Sequence, residues 1–372
     1  MSDEEKYIGL MSGTSIDSID TALVTIKDNK VKVVAYSEYP ITKELQKKVE
    51  ELCLPGFNEI DRLGELSREL GFLFADATLS LLASENIKTT SIKAIGSHGQ
   101  TVRHRPGYPH PFTLQIGDPS TIAFQTGITT VADFRAKDIA GGGQGAPLTP
   151  AFHNALFSNN LTPRIVLNIG GIANISRLSY KSDSTLLGFD TGPGNTLMDY
   201  WTKRHLQKHF DHQGDWAKSG VLDMTLLDLM LCHPYFQKEA PKSTGREEFS
   251  SHWLEGVLAQ TSFIKPQDIQ RTLCEFTALT ICKAIDRYAA AGSEIILCGG
   301  GSKNTFLIER LKALLPNHQF DSTQSHGIAI EAVEASAFAW LAHRTLNHLS
   351  GNCASVTGAQ KDLILGGIYF AG

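Results

Sequence analysis

Three short loops combine glycine with small polar side chains, and each loop follows an apolar run. They are SGTSID at 12–17, NIGGIAN at 168–174 and GGGSKN at 299–304. Small residues let backbone N–H groups approach a phosphate closely, and hydroxyl groups add further donors. One such loop is more often an ordinary hairpin turn, but three loops at strand ends predict a nucleotide bound through its phosphates.

The predicted nucleotide-binding residues lie in and beside these three loops. They are Ser12, Gly13, Thr14, Ser15, Asp17, Asp20, Asn168, Gly170, Gly171, Asn174, Gly299, Gly300 and Gly301.

Asp190 ends an apolar run and precedes the turn Thr191-Gly192-Pro193-Gly194. A carboxylate at the end of a strand can act as a general base. It can equally cap a helix that begins near Pro193. The residues by themselves leave both interpretations open.

The elements that position these groups follow from the spacing of apolar residues. Strands are predicted at 20–27 and 31–39, a helix over the Leu63–Leu81 repeat, and a buried strand at 92–99. The order strand, glycine turn, strand, strand, helix then recurs from residue 164, with long helices at 269–290 and 330–347. We therefore expect two α/β lobes with mixed sheets that face one another across a cleft.

The predicted lobes are residues 1–134 with about 348–372, and residues 135–347. The glycine cluster at 140–148 is the expected hinge or lobe boundary. A length of 372 residues is sufficient for two such lobes.

Composition limits the classes of partner. A net charge of −5 argues against nucleic acid and anionic membranes as partners. The polar, acidic N-terminus does not resemble a signal peptide, and no run of about 18 apolar residues occurs, so a cytoplasmic protein is expected. Six scattered cysteines without a Cys-x-x-Cys pair argue against a disulfide framework or a zinc site.

Seven blocks in order resemble the motifs of bacterial 1,6-anhydro-N-acetylmuramate kinases. They are GLMSGTSIDSID, SHGQTVRHRP, GQGAPL, LNIGGIANIS, GFDTGPGN, LCGGGSKN and SVTG. The resemblance covers nearly the whole chain and implies the two-lobed actin/Hsp70/hexokinase-like fold, which is ribonuclease H-like, with an active-site cleft between the lobes. It also implies ATP as the phosphoryl donor, a homodimer, and a role in recycling cell-wall fragments.

The implied reaction joins hydrolysis to phosphoryl transfer. Water opens the anhydro bridge at C1 of the sugar, and O6 takes the γ-phosphoryl group, which gives N-acetylmuramate 6-phosphate and ADP. Asp190 matches the catalytic aspartate of the family. Mg²⁺ is expected, with Asp17, Asp20, Glu331 and Glu334 as candidates to hold its waters, although no metal ligand is assigned.

For the sugar, Gln100 and Thr101 are expected to bond hydroxyls or the acetamide, and Arg135 to pair with the lactyl carboxylate. A kinase of an unbridged amino sugar and a non-catalytic ATP-dependent protein remain as alternatives. The family usually has glycine where this chain has Ser18. If that position needs a positive φ, Ser18 strains the turn.

Overall fold

The structure is a computed structural model, and it describes residues 4–13, 16–28, 30–181, 185–245 and 248–372. The chain divides into two compact units. Unit 1 comprises Met1–Leu156 with Gly327–Gly372, and unit 2 comprises Phe157–His326.

The strands are β1 (Glu5–Met11), β2 (Ser18–Lys27), β3 (Lys30–Pro40), β4 (Ile92–Ser97), β5 (Gln100–Arg105), β6 (Phe112–Ile116), β7 (Thr130–Ala132), β8 (Arg164–Ile169), β9 (Ile172–Arg177), β10 (Leu187–Pro193), β11 (Glu294–Cys298), β12 (Gln319–Ser322) and β13 (Gly367–Tyr369).

The α-helices are α1 (Lys43–Leu52), α2 (Glu59–Ser84), α3 (Pro119–Thr126), α4 (Phe134–Ala140), α5 (Thr149–Phe157), α6 (Thr196–Leu206), α7 (Asp215–Ser219), α8 (Met224–Leu231), α9 (Ser251–Leu258), α10 (Pro266–Tyr288), α11 (Thr305–Leu314), α12 (Ala332–Leu346) and α13 (Ala354–Thr357).

Unit 1 contains a six-stranded sheet in the order β13-β7-β4-β1-β2-β3. β1, β2 and β3 form an antiparallel meander, and β4 runs parallel to β1. The predicted strands at 20–27 and 31–39 are confirmed as β2 and β3. The apolar residues of β1 and β2 are buried on the sheet, with Ile8, Ile19 and Leu23 fully inaccessible to solvent, whereas β3 is partly or fully exposed along its length.

Unit 2 repeats this arrangement. Its five strands follow the order β10-β9-β8-β11-β12, with β8, β9 and β10 antiparallel and β11 and β12 parallel to β8. The central strand of this sheet is β8, which is the first strand of unit 2 in sequence. In the same way, β1 is the first strand of unit 1 and is central in the β3-β2-β1-β4-β7 part of its sheet. This repeat confirms the predicted α/β class and the predicted recurrence of strand order. α10 supplies much of the core, with Phe276, Ile281 and Ile285 fully buried.

The unit boundaries differ from those expected from the sequence, because residues 135–156 and 327–347 belong to unit 1. The reason lies in α12, whose backbone rests directly on two strands. A Cβ on Gly9 would lie 1.7 Å from the carbonyl oxygen of Ala335, and one on Gly96 would lie 1.9 Å from that of Phe338. Gly9 in β1 and Gly96 in β4 therefore permit close packing of the α12 backbone on these strands, which the local sequence pattern does not predict.

The glycine cluster at 140–148 also lies inside unit 1, so it is not the unit boundary. Asp138, which is fully buried, anchors the cluster. Its carboxylate accepts the N–H of Gly145 at 2.7 Å, the amide of Asn352 at 2.6 Å and the hydroxyl of Thr357 at 2.7 Å. The GQGAPL and SVTG motifs thus meet at one buried carboxylate.

Ser18 begins β2 opposite Pro40 and does not have a positive φ. The strain expected at Ser18 is therefore absent, since an extended residue needs no glycine. Among the described residues of this loop, Ile16 has a left-handed backbone, with φ of 53°.

None of the helices in the described residues is both long and apolar enough to cross a membrane.

Candidate functional site

The loop after β1 begins with a buried hydroxyl. Ser12 is 2% exposed, and its Oγ donates to Oε1 of Gln100 at 2.7 Å. Ser12, a predicted phosphate-binding residue, and Gln100, a predicted sugar-binding residue, are therefore hydrogen-bonded to each other within unit 1. Gly13 closes the turn by accepting the N–H of Ile16 at 3.3 Å. Thr14 and Ser15 lie outside the described residues.

The hydrogen-bond network continues from Gln100 along β5. The amide of Gln100 donates to the carbonyl of Thr101 at 3.3 Å, and Oγ1 of Thr101 accepts the amide of Gln115 at 3.1 Å. Gln100 is buried whereas Thr101 is partly exposed. Both predicted residues thus have fixed orientations, which suits recognition of a polar ligand because little side-chain entropy is lost on binding.

Arg135 is oriented by two partners in unit 1. Its Nε donates to Nε2 of His98 at 2.9 Å, and its Nη1 donates to the carbonyl of Gly145 at 2.8 Å. Nδ1 of His98 lies 2.9 Å from the carbonyl of Gly99, which selects the neutral tautomer with its proton on Nδ1. Burial and the neighbouring Arg135 hold the pKa of His98 well below its usual value. His98 therefore orients a cation rather than binding a metal.

An acidic group forms where β2, β3 and the start of α12 meet in unit 1. Burial raises the pKa of Asp20 to about 6, and the charges of Glu38, Glu334 and Asp17 add to the increase. The hydroxyl of Tyr36 donates to Asp20 Oδ1 at 2.6 Å and partly offsets it. Glu331 immediately precedes α12, and Glu334 lies in its first turn. Several carboxylates that compete for protons are a suitable environment for a divalent cation.

Asp190 lies within β10, not at the start of a helix. β10 continues to Pro193, α6 begins at Thr196, and the residue at the N-cap position of α6 is Asn195. The helix-cap interpretation of Asp190 is therefore wrong. The helix begins at Thr196, three residues after the predicted start near Pro193, because β10 extends through the turn sequence.

The segment at 235–244 holds Asp190 from the open edge of the unit 2 sheet. The N–H of Thr244 donates to Asp190 Oδ2 at 3.0 Å, and the Tyr235 hydroxyl donates to the Asp190 carbonyl at 2.5 Å. The N–H of Asp190 donates to the carbonyl of Lys242 at 3.1 Å. These bonds fix the backbone of Asp190 and one of its carboxylate oxygens.

Strand register places Asp190 in a row with two predicted nucleotide-binding residues. Asp190 pairs with Asn174 across β10 and β9, and Asn174 pairs with Asn168 across β9 and β8. Paired residues on adjacent strands point to the same face, with about 5 Å between neighbours. All three side chains are partly exposed, whereas Phe189 and Ile175 point into the core. We call Asp190, Asn174 and Asn168 the polar row.

The turn after β8 packs against the start of α6. The N–H groups of Gly194 and Asn195 donate to the carbonyls of Gly171 and Gly170 at 2.9 and 2.8 Å. A Cβ on Gly194 would lie 2.3 Å from the Gly170 carbonyl oxygen, so only glycine permits this approach. The helix start and the predicted phosphate turn are therefore one rigid feature of unit 2.

The third glycine turn borders a cavity of about 500 Å³ in unit 2. This size lies within the usual range of small-molecule sites, about 300–1,000 Å³. Its lining includes Asn195, Asp199, Phe210, Gly300, Gly301 and Lys303.

Backbone geometry makes glycine necessary at this turn. Gly299 has φ of +77°, and a Cβ there would lie 2.2 Å from Oδ1 of Asn168. A Cβ on Gly301 would lie 2.3 Å from Cγ2 of Ile169. The turn thus lies directly against the end of the polar row at Asn168.

Phe210 and Asp199 were not predicted from the sequence. Phe210 is 59% exposed although it lines the cavity, and an exposed aromatic ring can stack on a base. Asp199 lies in the first turn of α6. Neither residue lies within a glycine-rich loop, and a single aspartate on a helix does not by itself indicate a binding site. The sequence therefore offers no reason to select Phe210 or Asp199.

A family model described as anhydro-N-acetylmuramic acid kinase matches residues 5–371. The chain belongs to this family. A curated relative of that name from Shewanella denitrificans is 50% identical over 371 residues and covers 100% of both chains. Relatives of the same name from Saccharophagus degradans and Vibrio cholerae are 49% and 47% identical, with 98% and 100% of both chains covered.

Among solved structures, the (R)-2-hydroxyglutaryl-CoA dehydratase component A from Acidaminococcus fermentans aligns with a TM-score of 0.45 at 10% identity, covering 90% of this chain and 98% of that chain. A ROK hexokinase from Thermus thermophilus aligns with a TM-score of 0.39 at 13% identity, covering 91% and 99%.

Proposed function

We propose that this protein opens 1,6-anhydro-N-acetylmuramate with water and phosphorylates its O6 from ATP, giving N-acetylmuramate 6-phosphate and ADP. Family membership over the full length supports the substrate. The observation that carries the chemistry is the polar row, because it combines a carboxylate with two amides on the exposed face of a sheet, next to a glycine turn.

Asp190 acts as the general base in this proposal. Water attacks C1 and gives its proton to the Asp190 carboxylate. The C1–O6 bond breaks, O6 keeps the electron pair and bonds to the γ-phosphorus, and the bond to the β-phosphate oxygen breaks to release ADP. The negative charge of Asp190 also stabilises the positive character that develops at C1.

The N–H of Thr244 orients the carboxylate of Asp190. It bonds Oδ2 of Asp190, so this oxygen is held while the carboxylate remains charged and able to take a proton. Two backbone hydrogen bonds of Asp190, to Tyr235 and Lys242, hold this part of β10 in place.

Unit 1 supplies the sugar contacts. Arg135 pairs with the lactyl carboxylate through Nη2 and the N–H of Nη1 that does not donate to the Gly145 carbonyl. Gln100 and Thr101 bond sugar hydroxyls or the acetamide. Arg135 is the specificity residue among them, because the lactyl carboxylate distinguishes muramic acid from an ordinary hexosamine.

Unit 2 supplies the nucleoside contacts. The cavity beside Gly300 and Gly301 takes the adenosine of ATP, with Phe210 against the base. Asn168, Asn174 and the turn at Gly170 and Gly171 contact phosphate oxygens, and Ser12 and Gly13 of unit 1 do the same.

Mg²⁺ would be held at the acidic group of unit 1, where burial, followed by the charges of Glu38, Glu334 and Asp17, raises the pKa of Asp20. Asp17, Asp20 and Glu334 would hold its waters. When bound, the ion neutralises charge on the phosphate oxygens during transfer.

We also infer a cytoplasmic homodimer. Consumption of ATP requires a compartment that contains it. Unit 1 exposes apolar side chains on elements that contact one another, with Phe124 on α3 and Phe370 after β13 each 79% exposed. Apolar exposure of this kind is typical of an interface. Light scattering on the purified protein would give the mass of the assembly directly.

ADP release with ATP and Mg²⁺ tests the function. The expected result is release with 1,6-anhydro-N-acetylmuramate, and at least about 100-fold less with free N-acetylmuramate, which lacks the strained bridge. Release with the free sugar at an equal or higher rate would instead assign the protein as a kinase of unbridged amino sugars.

A further inference from the structure

A second cavity of unit 2 is strongly basic. Its volume is about 230 Å³, and its lining includes four cationic side chains, Lys238, Lys242, Lys283 and Arg287. We call it the basic cavity. Lys283 and Arg287 lie one turn apart near the end of α10, and the two other lysines come from the segment that follows Gln237.

The cations of the basic cavity exceed their carboxylate partners. Among the described residues, Arg287 pairs with Glu239, and Lys238 lies 3.9 Å from Glu248. Lys242 donates instead to the Tyr235 carbonyl at 3.2 Å and lies 4.5 Å from the centre of the Tyr235 ring.

Lys242 is partly buried and lies among like charges. Burial lowers the pKa of its ammonium, and the charges of Arg287 and Lys238 lower it further. Cations held together around a concave surface favour an anion, because each of them gains Coulomb energy when the anion binds.

Three aromatic residues also line the basic cavity, the partly exposed Phe236 and Tyr288 and the buried Phe189. Hydroxyls of Thr191 and Thr280 also line it, and they donate to protein carbonyls at 3.1 and 3.0 Å. Their lone pairs can therefore accept hydrogen bonds from a ligand. Aromatic faces can pack against the C–H groups of a sugar ring, and hydroxyl oxygens can accept from its O–H groups.

We propose that the basic cavity binds a phosphorylated sugar, with the phosphate on Lys242, Lys283 and Arg287 and the ring against Phe236 and Tyr288. The site is separate from the polar row. Phe189 faces the cavity, and neighbouring strand residues point to opposite faces, so the carboxylate of Asp190 lies on the other side of β10. The proposal does not depend on the proposed function.

Calorimetric titration of the full-length protein tests the site, with glucose 6-phosphate, glucose and inorganic phosphate as probes. Glucose 6-phosphate is expected to bind more tightly than inorganic phosphate, and glucose least. Each exposed cation contributes up to about fivefold in affinity, so Lys283→Gln with Arg287→Gln should raise the Kd for glucose 6-phosphate by about tenfold and by no more than about 25-fold.

Two controls separate this site from the others. Lys312→Gln removes an exposed lysine of α11 elsewhere in unit 2 and should leave the Kd unchanged. Asp190→Asn should also leave it unchanged. An unaltered Kd in the double variant, or no binding at millimolar glucose 6-phosphate, overturns the site. Equal affinity for inorganic phosphate overturns the sugar as its ligand.

Discussion

Replacement of Asp190 by asparagine removes the proposed base while keeping the shape of the side chain. The oxygen of asparagine can still accept the N–H of Thr244, which lies 3.0 Å from Asp190 Oδ2 in the wild type. The bonds to Tyr235 and Lys242 involve the backbone of Asp190 and are unaffected. We therefore expect the free energy of unfolding to change by less than about 0.5 kcal/mol.

The effect on turnover should be large, because an amide neither takes a proton from water nor carries a charge. General-base catalysis contributes about 10²–10⁴ in rate, which corresponds to about 3–5 kcal/mol of barrier. The kcat for 1,6-anhydro-N-acetylmuramate should thus fall at least about 100-fold. The Kd for ATP should change little, since the nucleoside cavity does not include Asp190.

The assay couples ADP release to a change in absorbance, with circular dichroism and thermal unfolding as checks on folding. Asp228→Asn provides a matched control, because Asp228 is an exposed aspartate on α8 of the same unit. If a folded Asp190→Asn protein kept more than about a third of wild-type kcat, the base assignment would be refuted, since general bases contribute far more.

Three further changes test the surrounding groups. Gly301→Ala places a Cβ 2.3 Å from Cγ2 of Ile169, so the turn must shift. The KM for ATP should therefore rise at least about fivefold. An unchanged KM would show that this turn does not contact the nucleotide. Arg135→Lys removes the paired N–H donors of the guanidinium, which can bind both oxygens of a carboxylate. The KM for the sugar should therefore rise about tenfold while the KM for ATP stays constant. An equal rise in both KM values would argue against a specific sugar contact. Burial raises the pKa of Asp20 to about 6, so the folded protein binds this proton more tightly than the unfolded chain does. The ionised carboxylate therefore lowers the free energy of unfolding. This loss grows as the pH rises from about 4 to 6 and persists at higher pH. Asp20→Asn, measured by thermal unfolding without divalent cations, should therefore stabilise the protein by about 1 kcal/mol at pH 7.5 and by nothing near pH 4, whereas a constant difference across this range would contradict the raised pKa.

Local patterns in the sequence were sufficient for several features of the fold and the candidate site. Apolar alternation predicted β2 and β3, and the glycine turns after β8 and β11 stand where the apolar runs end. These features depend on residues within about ten positions of each other, so short-range periodicity contains the information. The repeated strand order also followed from the order of such runs, and the family resemblance rests on motifs of the same short length.

Only the tertiary structure decided which distant residues meet. α12 belongs to unit 1 because Gly9 and Gly96 admit its backbone, and Asp138 is anchored by Asn352 and Thr357, more than 200 residues away in the chain. The interpretation of Asp190 as a helix cap failed because strand pairing in the folded sheet extends β10 to Pro193.

The polar row and the basic cavity were likewise invisible in the sequence. Asp190, Asn174 and Asn168 align only through sheet register, and the four cations converge only when the segment after Gln237 packs near the end of α10. Both depend on contacts between segments far apart in the chain, whose geometry is set by packing rather than by any local preference.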